Sequence, residues 1–479
     1  MYDVLIIGGG VVGCSVAYYL GQYDLKVGLL EAENDVACGS SKANSAIIHA
    51  GYDPECGTLM AKHNIRGAEL VKEICGKLDV PYKQCGAMVI GFNEKDREHL
   101  KILYERGVTN GVKEMRLLDK AETLELETQL SDQVTCSLLV PTSAIVSPWE
   151  LTLAMAETAK LNGVDILLNN RVTAISKNEH FTVTTVNGEY ECKYIVNAAG
   201  VKADAVHELI GEKEFTISPS KGEYYLLDKS EGNRTSRTIF QCPTAAGKGV
   251  LISPTVHGNL IVGPDATATD SDNTATSYDG LKFVRETAYR SIPSVNYREN
   301  IRNFAGLRAK NDRGDFIIEE SHSVPDFFNL AGIMSPGLSS APSIALEVID
   351  WLVSKNVEMN KKDHIIDERH KIRFKELSEA EKIEVIKENP AYGRIICRCE
   401  SITEGEIVAA INGVIPAVSI DGVKRRTNAG MGRCQGGFCS EKVCGILERE
   451  LKEDGTAVLQ DREGSNILIG HLKGRDSHV

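Results

Sequence analysis

Four cysteines late in the chain, Cys397, Cys399, Cys434 and Cys439, are spaced for one metal centre. Four thiolates suit either zinc or a 2Fe–2S cluster. The opening Cys-x-Cys pair is tighter than the two-to-four-residue gap of zinc modules, which favours the cluster over zinc and over unligated thiols. Gly430, Gly432, Gly436 and Gly437 let backbone amides turn toward the sulfurs and stabilise their charge. Arg398, Arg425, Arg426 and Arg433 are expected around that negative charge, a solvated charge run being the competing reading. The other nine cysteines stand singly, and most read as small buried hydrophobes.

The opposite end of the chain carries a second chemistry. Val4–Ile7 is an apolar run suited to a strand buried on both faces. Gly8, Gly10 and Gly13 follow in G-x-G-x-x-G spacing, then a helix-like run from Cys14 to Leu20, then the apolar run Val27–Leu30 ending in Glu31. Strand, glycine turn, helix, strand and acid make up the dinucleotide-binding fingerprint. Gly8 permits the tight turn, Gly10 lets backbone approach a pyrophosphate, and Gly13 lets helix and strand close up. Amides at the helix start face the phosphates, and Glu31 accepts from a ribose hydroxyl. The fingerprint alone does not choose FAD over NAD. The stretch that follows, with Ser40, Ser41, Asn44 and Ser45 ahead of His49, is either a polar loop capping the next helix or a segment lying along the cofactor.

At 479 residues the chain is too long for one core and should hold two or three domains. A net charge of −13 argues against nucleic acid or an anionic membrane surface as partner, so an anionic substrate would need locally placed cations. No signal peptide precedes the first strand, and no apolar run approaches the roughly 18 residues of a membrane span. The expectation is a cytoplasmic protein without direct membrane insertion.

The elements that must position these groups follow from periodicity. Helices are expected over 59–78, 94–107, 119–127 and 149–162, and strands over 164–168, 172–176, 181–186 and 190–192, with an Asn187-Gly188 hairpin turn. Tyr194 to Gly200 reads as a buried strand entering a glycine turn. Strands over 221–228, 249–253, 260–263 and 316–319 suggest a second, more antiparallel sheet. A strand, a Ser335-Pro336-Gly337 loop and a helix follow from Asn329 to about Val353, then a charged linker.

The fingerprint, the Asn197-Ala198-Ala199-Gly200 strand end and the Ser335-Pro336-Gly337-Leu338 loop together resemble the FAD-dependent D-amino-acid-oxidase-like superfamily, over about residues 1–355. That group includes glycerol-3-phosphate dehydrogenases, L-2-hydroxyglutarate oxidases, and sarcosine or proline dehydrogenases. The resemblance implies that Gly8, Gly10, Gly13, Glu31, Ser40, Ser41, Asn44 and Ser45 lie along FAD, that Val172 meets the adenine, and that Ala198, Ala199 and Gly200 lie over the pyrophosphate. Gly337, Leu338 and Ser339 would face the O2 edge of the flavin, where a helix start suits the charge of the reduced ring. Residues 391–450 are similar to bacterioferritin-associated-ferredoxin-like domains, which hold a 2Fe–2S cluster on four thiolates, and especially to the C-terminal part of anaerobic glycerol-3-phosphate dehydrogenases.

The implied fold is α/β: a Rossmann-like FAD-binding domain (1–80, 148–215, 325–360) interleaved with an antiparallel-sheet substrate domain (81–147, 216–324). A linker (361–390), the small iron–sulfur domain (391–450) and a tail (451–479) complete it. Flavin and cluster on one chain suit a dehydrogenase that exports single electrons to an acceptor protein or second subunit. His49 is the candidate general base, a core histidine or a covalent flavin attachment being the alternatives. Arg308 matches a position that holds a substrate carboxylate or phosphate, and Lys221 stands where relatives carry arginine; either could instead be half of an ion pair. The substrate expected is a small anionic alcohol, glycerol 3-phosphate first. An L-2-hydroxy acid or secondary amino acid comes second, and an electron-transfer subunit with no substrate third. The C-terminal domain favours the first, while Gly332–Leu338 replaces the Gly-Gly-Lys-x-Thr-Thr type segment of glycerol-3-phosphate enzymes and stands closer to the L-2-hydroxyglutarate group.

Overall fold

The structure is a computed structural model that describes residues 1–243 and 249–470, so the end of the expected tail, 471–479, lies outside the described residues. The chain divides into two compact units, one of Met1–Leu30 and Ala37–Arg369, the other of Glu31–Val36 and the residues from His370 onward.

In the larger unit the chain runs β1 (Tyr2–Ile7), α1 (Val11–Leu20), β2 (Val27–Leu30), α2 (Leu59–Lys77), β3 (Asp165–Leu167), β4 (Gly188–Asn197), β5 (Ser220–Leu227), β6 (Asn300–Arg308), β7 (Phe327–Ala331) and α3 (Gly337–Ser354). Strands β3, β2, β1, β4 and β7 pair in that order, all parallel. Val4, Leu5 and Ile6 are fully buried, as a strand covered on both faces requires. The hairpin of Val172–Lys177 and Phe181–Thr185 extends the sheet antiparallel to β4, with Thr185 opposite Gly188 at the expected turn.

Register brings the chemistry to one edge. Ile7 lies opposite both Leu30 and Asn197, so the fingerprint turn and the Ala198–Gly200 turn leave the sheet side by side. They leave no room for side chains: a Cβ on Gly8, whose φ is +111°, would stand 2.4 Å from the Ala198 carbonyl oxygen, and one on Gly13 only 1.9 Å from that of Gly8.

The second sheet is mainly antiparallel. β5 pairs along its length with β6, Ser220 opposite Arg308 and Leu227 opposite Asn300. From β5 the sheet continues through Leu260–Gly263, Leu251–Pro254, Thr238–Gln241, Ala87–Gly91 and Cys136–Val140 to Arg116–Asp119. The pairing of Thr238–Gln241 with Ala87–Gly91 is parallel, which joins the two sequence-separated parts of this sheet. Its apolar face packs on Val284, Ala288 and Ile292 from the helix Tyr278–Tyr289 and the turn after it. The stretch through Arg369 is tied to this unit rather than free: Ile366 exchanges hydrogen bonds with the Asn162 side chain, and Arg369 Nε donates to Glu157 at 2.8 Å.

The smaller unit contains the exposed helix α4 (Glu379–Glu388), β8 (Ile395–Cys397), β9 (Ile402–Thr403), α5 (Glu404–Ile411), α6 (Ile420–Thr427) and α7 (Ser440–Leu451). Its core is Ile402, Ile407, Ile411, Val423, Val443 and Leu447. A reciprocal capping box between Thr403 and Glu406 starts α5 immediately after β9.

Candidate active site and cluster centre

A helix start leaves amides without intrahelical partners, and most helices supply a capping side chain or an acid. Among the described α-helices only α1 and α3 have neither a capping bond from the N-cap residue nor an acidic residue in the first turn. At α1 the Ser41 hydroxyl accepts from Val11 N–H at 2.8 Å, and the amides of Val12 and Gly13 remain unclaimed by any described residue. At α3 the amides of Leu338 and Ser339 stand likewise. Two uncapped positive ends, one at the fingerprint turn and one at the Ser335-Pro336-Gly337 loop, fit a group with a pyrophosphate for the first and a ring that becomes anionic on reduction for the second, as a flavin dinucleotide has.

The 40s loop is held by bonds that its small polar residues make. Ser40 Oγ donates to the Leu307 carbonyl at 2.6 Å, Asn44 closes the loop on Ser40 and Ser41, and Ser45 Oγ meets the Tyr224 hydroxyl at 3.0 Å. Tyr224 stacks on Phe304 with centroids 4.8 Å apart, linking β5 and β6 beneath the loop. Gly306 is needed there, since a Cβ would lie 1.7 Å from the Ala43 carbonyl oxygen. Val172 is half-buried in its strand, Ala199 is half-buried, and Gly200 is exposed with φ +60°.

His49, half-buried, is fixed from several sides. Its N–H donates to the Ser339 hydroxyl at 2.8 Å, its carbonyl accepts from Asn64 Nδ2 at 2.6 Å, its Nε2 lies 3.4 Å from Ser335 Oγ, and its ring lies 5.8 Å from that of Phe240. A cleft opens at it, lined also by Tyr52, Asp53, Asn64 and Pro336. Ser339 therefore joins the first turn of α3 directly to the backbone that carries the imidazole.

The two candidate cations differ. Lys221 is buried, with Nζ 3.0 Å from Glu223 Oε1 and donating to the Ala275 carbonyl at 2.6 Å. It is half of an ion pair, and a buried one, since Glu223 is fully enclosed. Arg308 Nη2 donates to the Asp265 carbonyl at 3.2 Å, whereas its Nη1 is buried with no partner among the described residues. A buried guanidinium nitrogen without an acceptor is costly, and an anionic ligand would satisfy it.

In the smaller unit the four cysteines converge. Cys399 and Cys434 have sulfurs 3.6 Å apart, and the Cys439 thiol donates to Cys397, which lowers the Cys397 thiol below its ordinary range. Backbone amides of Gly430, Gly436 and Phe438 also point at these sulfurs. Four free thiols ringed by amides fit a cluster held by thiolates.

The arginines do not all gather on that charge. Arg425 and Arg426, each 4% exposed, close instead on Asp35, with Arg425 Nη2 at 2.8 Å and Arg426 Nη1 at 2.7 Å. Burial opposes the Asp35 charge, but the two guanidiniums outweigh it and hold the carboxyl below the usual range. Asp35 was invisible to sequence reasoning because its partners lie 390 residues away. Asn64, Ser335, Tyr224 and Phe240 also escaped; only Ser335, beside the glycine–proline loop, carried a local signal.

Residues 3–351 match the FAD dependent oxidoreductase family (DAO), and residues 395–449 match the BFD-like 2Fe-2S binding domain. A glycerol 3-phosphate dehydrogenase of Caloramator mitchellensis is 49% identical over 99% of this chain and 99% of its own. A glycerol 3-phosphate oxidase of Mycoplasma pneumoniae (strain ATCC 29342 / M129 / Subtype 1) is 36% identical over 75% of this chain and 97% of its own. The solved structure of dithionite reduced L-alpha-glycerophosphate oxidase from Mycoplasma pneumoniae with FAD bound aligns with a TM-score of 0.74 at 34% identity, covering 78% of this chain and 99% of that one. With its uncapped helix ends, fingerprint turn and thiol ring, the chain belongs to the DAO family of FAD-dependent oxidoreductases and carries a BFD-like 2Fe–2S domain at residues 395–449.

Proposed function

We propose that the chain oxidises glycerol 3-phosphate at its secondary hydroxyl and exports the electrons singly to an acceptor protein. The observation that carries the substrate is Arg308, whose buried Nη1, without a partner among the described residues, suits a phosphate oxygen. Likeness to a glycerol 3-phosphate dehydrogenase over 99% of the chain supports the same substrate, and the oxidase likeness, confined to 75%, favours a dehydrogenase. FAD supplies a two-electron acceptor when bound, and the cluster a one-electron outlet.

The chain's own residues do the rest. Arg308 holds the phosphate and so fixes the carbinol carbon, while Lys221 and Glu223 keep β5 in place beneath it. The His49 ring, oriented by Ser335 and by backbone bonds from Ser339 and Asn64, accepts the hydroxyl proton as the carbon-bound hydrogen departs as hydride. The alcohol loses one hydride and one proton and becomes the ketone. Gly8, Gly10, Gly13, Glu31, Ser40, Ser41, Asn44, Ser45, Val172, Ala199, Gly200, Gly337, Leu338 and Ser339 would line the flavin, and Cys397, Cys399, Cys434 and Cys439 would hold the cluster. No described helix is long and apolar enough to cross a membrane. Thirteen free cysteines support a reducing, cytoplasmic setting.

The test is an anaerobic titration followed by flavin absorbance. Glycerol 3-phosphate should bleach the flavin and then raise the reduced-cluster paramagnetic signal, while L-2-hydroxyglutarate leaves both unchanged. Bleaching by the hydroxy acid alone, or by neither compound, rejects the proposal.

A further inference from the structure

We propose that Asn64 is a specificity-determining residue whose Oδ1 accepts from the primary hydroxyl of the substrate; this rests on the reading that glycerol 3-phosphate is oxidised at its secondary hydroxyl. Asparagine inside a helix is unfavourable unless its amide is used, and Asn64 sits in the second turn of α2, fully buried. One end of the amide is used, since Nδ2 donates to the His49 carbonyl at 2.6 Å. That bond fixes the orientation, because turning the amide over would set Oδ1 against another acceptor. Oδ1 is left buried, with no partner among the described residues. Two neighbours set its place. Asn64 and Gly67 share one face of α2, and a Cβ on Gly67 would stand 2.2 Å from the Ser339 carbonyl oxygen, so this face is pressed on the first turn of α3. Asn64 also lines the cleft shared by His49, Tyr52, Ser335 and Pro336. The unused acceptor therefore belongs to the wall of the cleft where the His49 ring meets the secondary hydroxyl.

The chemistry of that oxygen selects which end of the substrate turns to it. A buried amide oxygen without a donor is costly, and whatever relieves it must bring an O–H or N–H. A phosphate dianion or a carboxylate brings only acceptors. The phosphate accordingly stays with Arg308, and the hydroxymethyl group next to the oxidised carbon donates to Asn64. In a 2-hydroxy acid the same position carries a carboxylate, whose oxygens would meet Oδ1 acceptor to acceptor. Asn64 thus discriminates against L-2-hydroxy acids by an unfavourable contact, in addition to the phosphate that they lack.

The test compares glycerol 3-phosphate with its 1-deoxy analogue, the matching enantiomer of 2-hydroxypropyl phosphate, which keeps the phosphate and the secondary hydroxyl and lacks only the donor. The full chain, loaded with FAD and cluster, is mixed anaerobically with each, and the second-order rate of flavin reduction is read by stopped flow. Wild type should favour glycerol 3-phosphate at least about tenfold. In Asn64→Ala both rates should fall, because His49 loses a support, but the preference should shrink to within about threefold. Comparing the two preferences cancels that shared loss and any difference in intrinsic reactivity. Asn64→Leu, which keeps the volume, replaces the alanine variant if the latter does not retain flavin. A wild-type preference below about twofold would overturn the proposal. So would a preference that survives the substitution unchanged, which would leave Asn64 a support for His49 only. If glycerol 3-phosphate bleaches no flavin even in wild type, the substrate reading itself falls and takes this inference with it, an outcome distinct from the other two.

Discussion

Asp35→Ala removes the one carboxylate shared by two buried arginines, and its cost can be worked from the bonds it breaks. Asp35, 2% exposed, accepts from Arg425 Nε and Nη2 at 3.2 and 2.8 Å and from Arg426 Nη1 and Nη2 at 2.7 and 2.8 Å. Without it Arg425 keeps Asp461 at 2.9 Å, but Arg426 keeps only the carbonyls of Ile415 and Gly422, at 3.1 and 3.0 Å. The substitution thus leaves one buried cation with carbonyls but no carboxylate among the described residues and takes from the other one of its carboxylates, a loss of about 3–5 kcal/mol. In a unit of this size each kcal/mol moves the midpoint by about 4–8 °C, so the smaller unit should melt at least about 12 °C lower. The assay is heating of the loaded protein with cluster absorbance as the readout, flavin absorbance reporting the larger unit separately. Asp35→Leu combined with Arg426→Met should recover much of the loss, because removing both charges avoids the stranded one. Because the folded Asp35 carboxyl is held below its ordinary range, its contribution is complete above about pH 4 and disappears as pH falls through the folded value. Asp35→Asn should abolish that acid-side dependence. An Asp35→Ala chain within about 1 kcal/mol of wild type would refute the argument that this network holds the unit together.

Other substitutions separate the remaining roles. His49→Ala should lower kcat/KM about 10²–10⁴-fold while leaving the flavin spectrum intact, measured by anaerobic flavin reduction. Arg308→Ala should raise KM for a phosphorylated substrate by an amount matching about 1.5–3 kcal/mol, and Arg308→Lys should restore charge without the planar fork and recover only part; steady-state kinetics with a dye acceptor reads both. Cys434→Ser should abolish the cluster signal and transfer to a protein acceptor, with substrate still bleaching the flavin. His63 is fully buried on α2, and burial lowers it to about 4. Its neutral form is stabilising above about pH 6.5, and roughly 3 kcal/mol is lost as pH falls toward 4; denaturation of His63→Gln across that range should show a flatter profile.

The parts of this molecule legible in the sequence are those that the backbone itself demands. Gly8 and Gly13 could be read because no side chain fits between β1, α1 and the Ala198 turn, and that exclusion is written as residue type. β1 and the helix from Leu59 could be read from their apolar patterns and the hairpin from its Asn187-Gly188 turn, whereas β4, expected as two strands over 190–192 and from Tyr194, is the single strand Gly188–Asn197. β6 could not be read: its first half is half-buried at Asn300 and Ile301 and exposed at Arg302 and Asn303, so no alternation marks it, although it pairs along the whole of β5 and ends in Arg308. Arg425 and Arg426 were expected to face the thiolates because charge attracts charge locally; the structure gives them a carboxylate from the other end of the chain, which no local pattern encodes.

The clearest signal at the flavin end is a missing one. Gly10 ahead of Val11-Val12-Gly13, and Pro336 ahead of Gly337-Leu338-Ser339, start helices without the Ser, Thr, Asp or Asn that caps a helix and without an acid in the first turn. Leaving those amides unpaired costs stability unless something else accepts from them, and other helix starts here, such as Thr58, Asn93, Ser277 and Thr403, supply a cap of their own. Two omissions at helices that leave the same sheet from β1 and β7 are hard to ascribe to chance composition. They read as space kept for an anionic ligand, and the positive dipole ends then act on it without a charged side chain having to be desolvated.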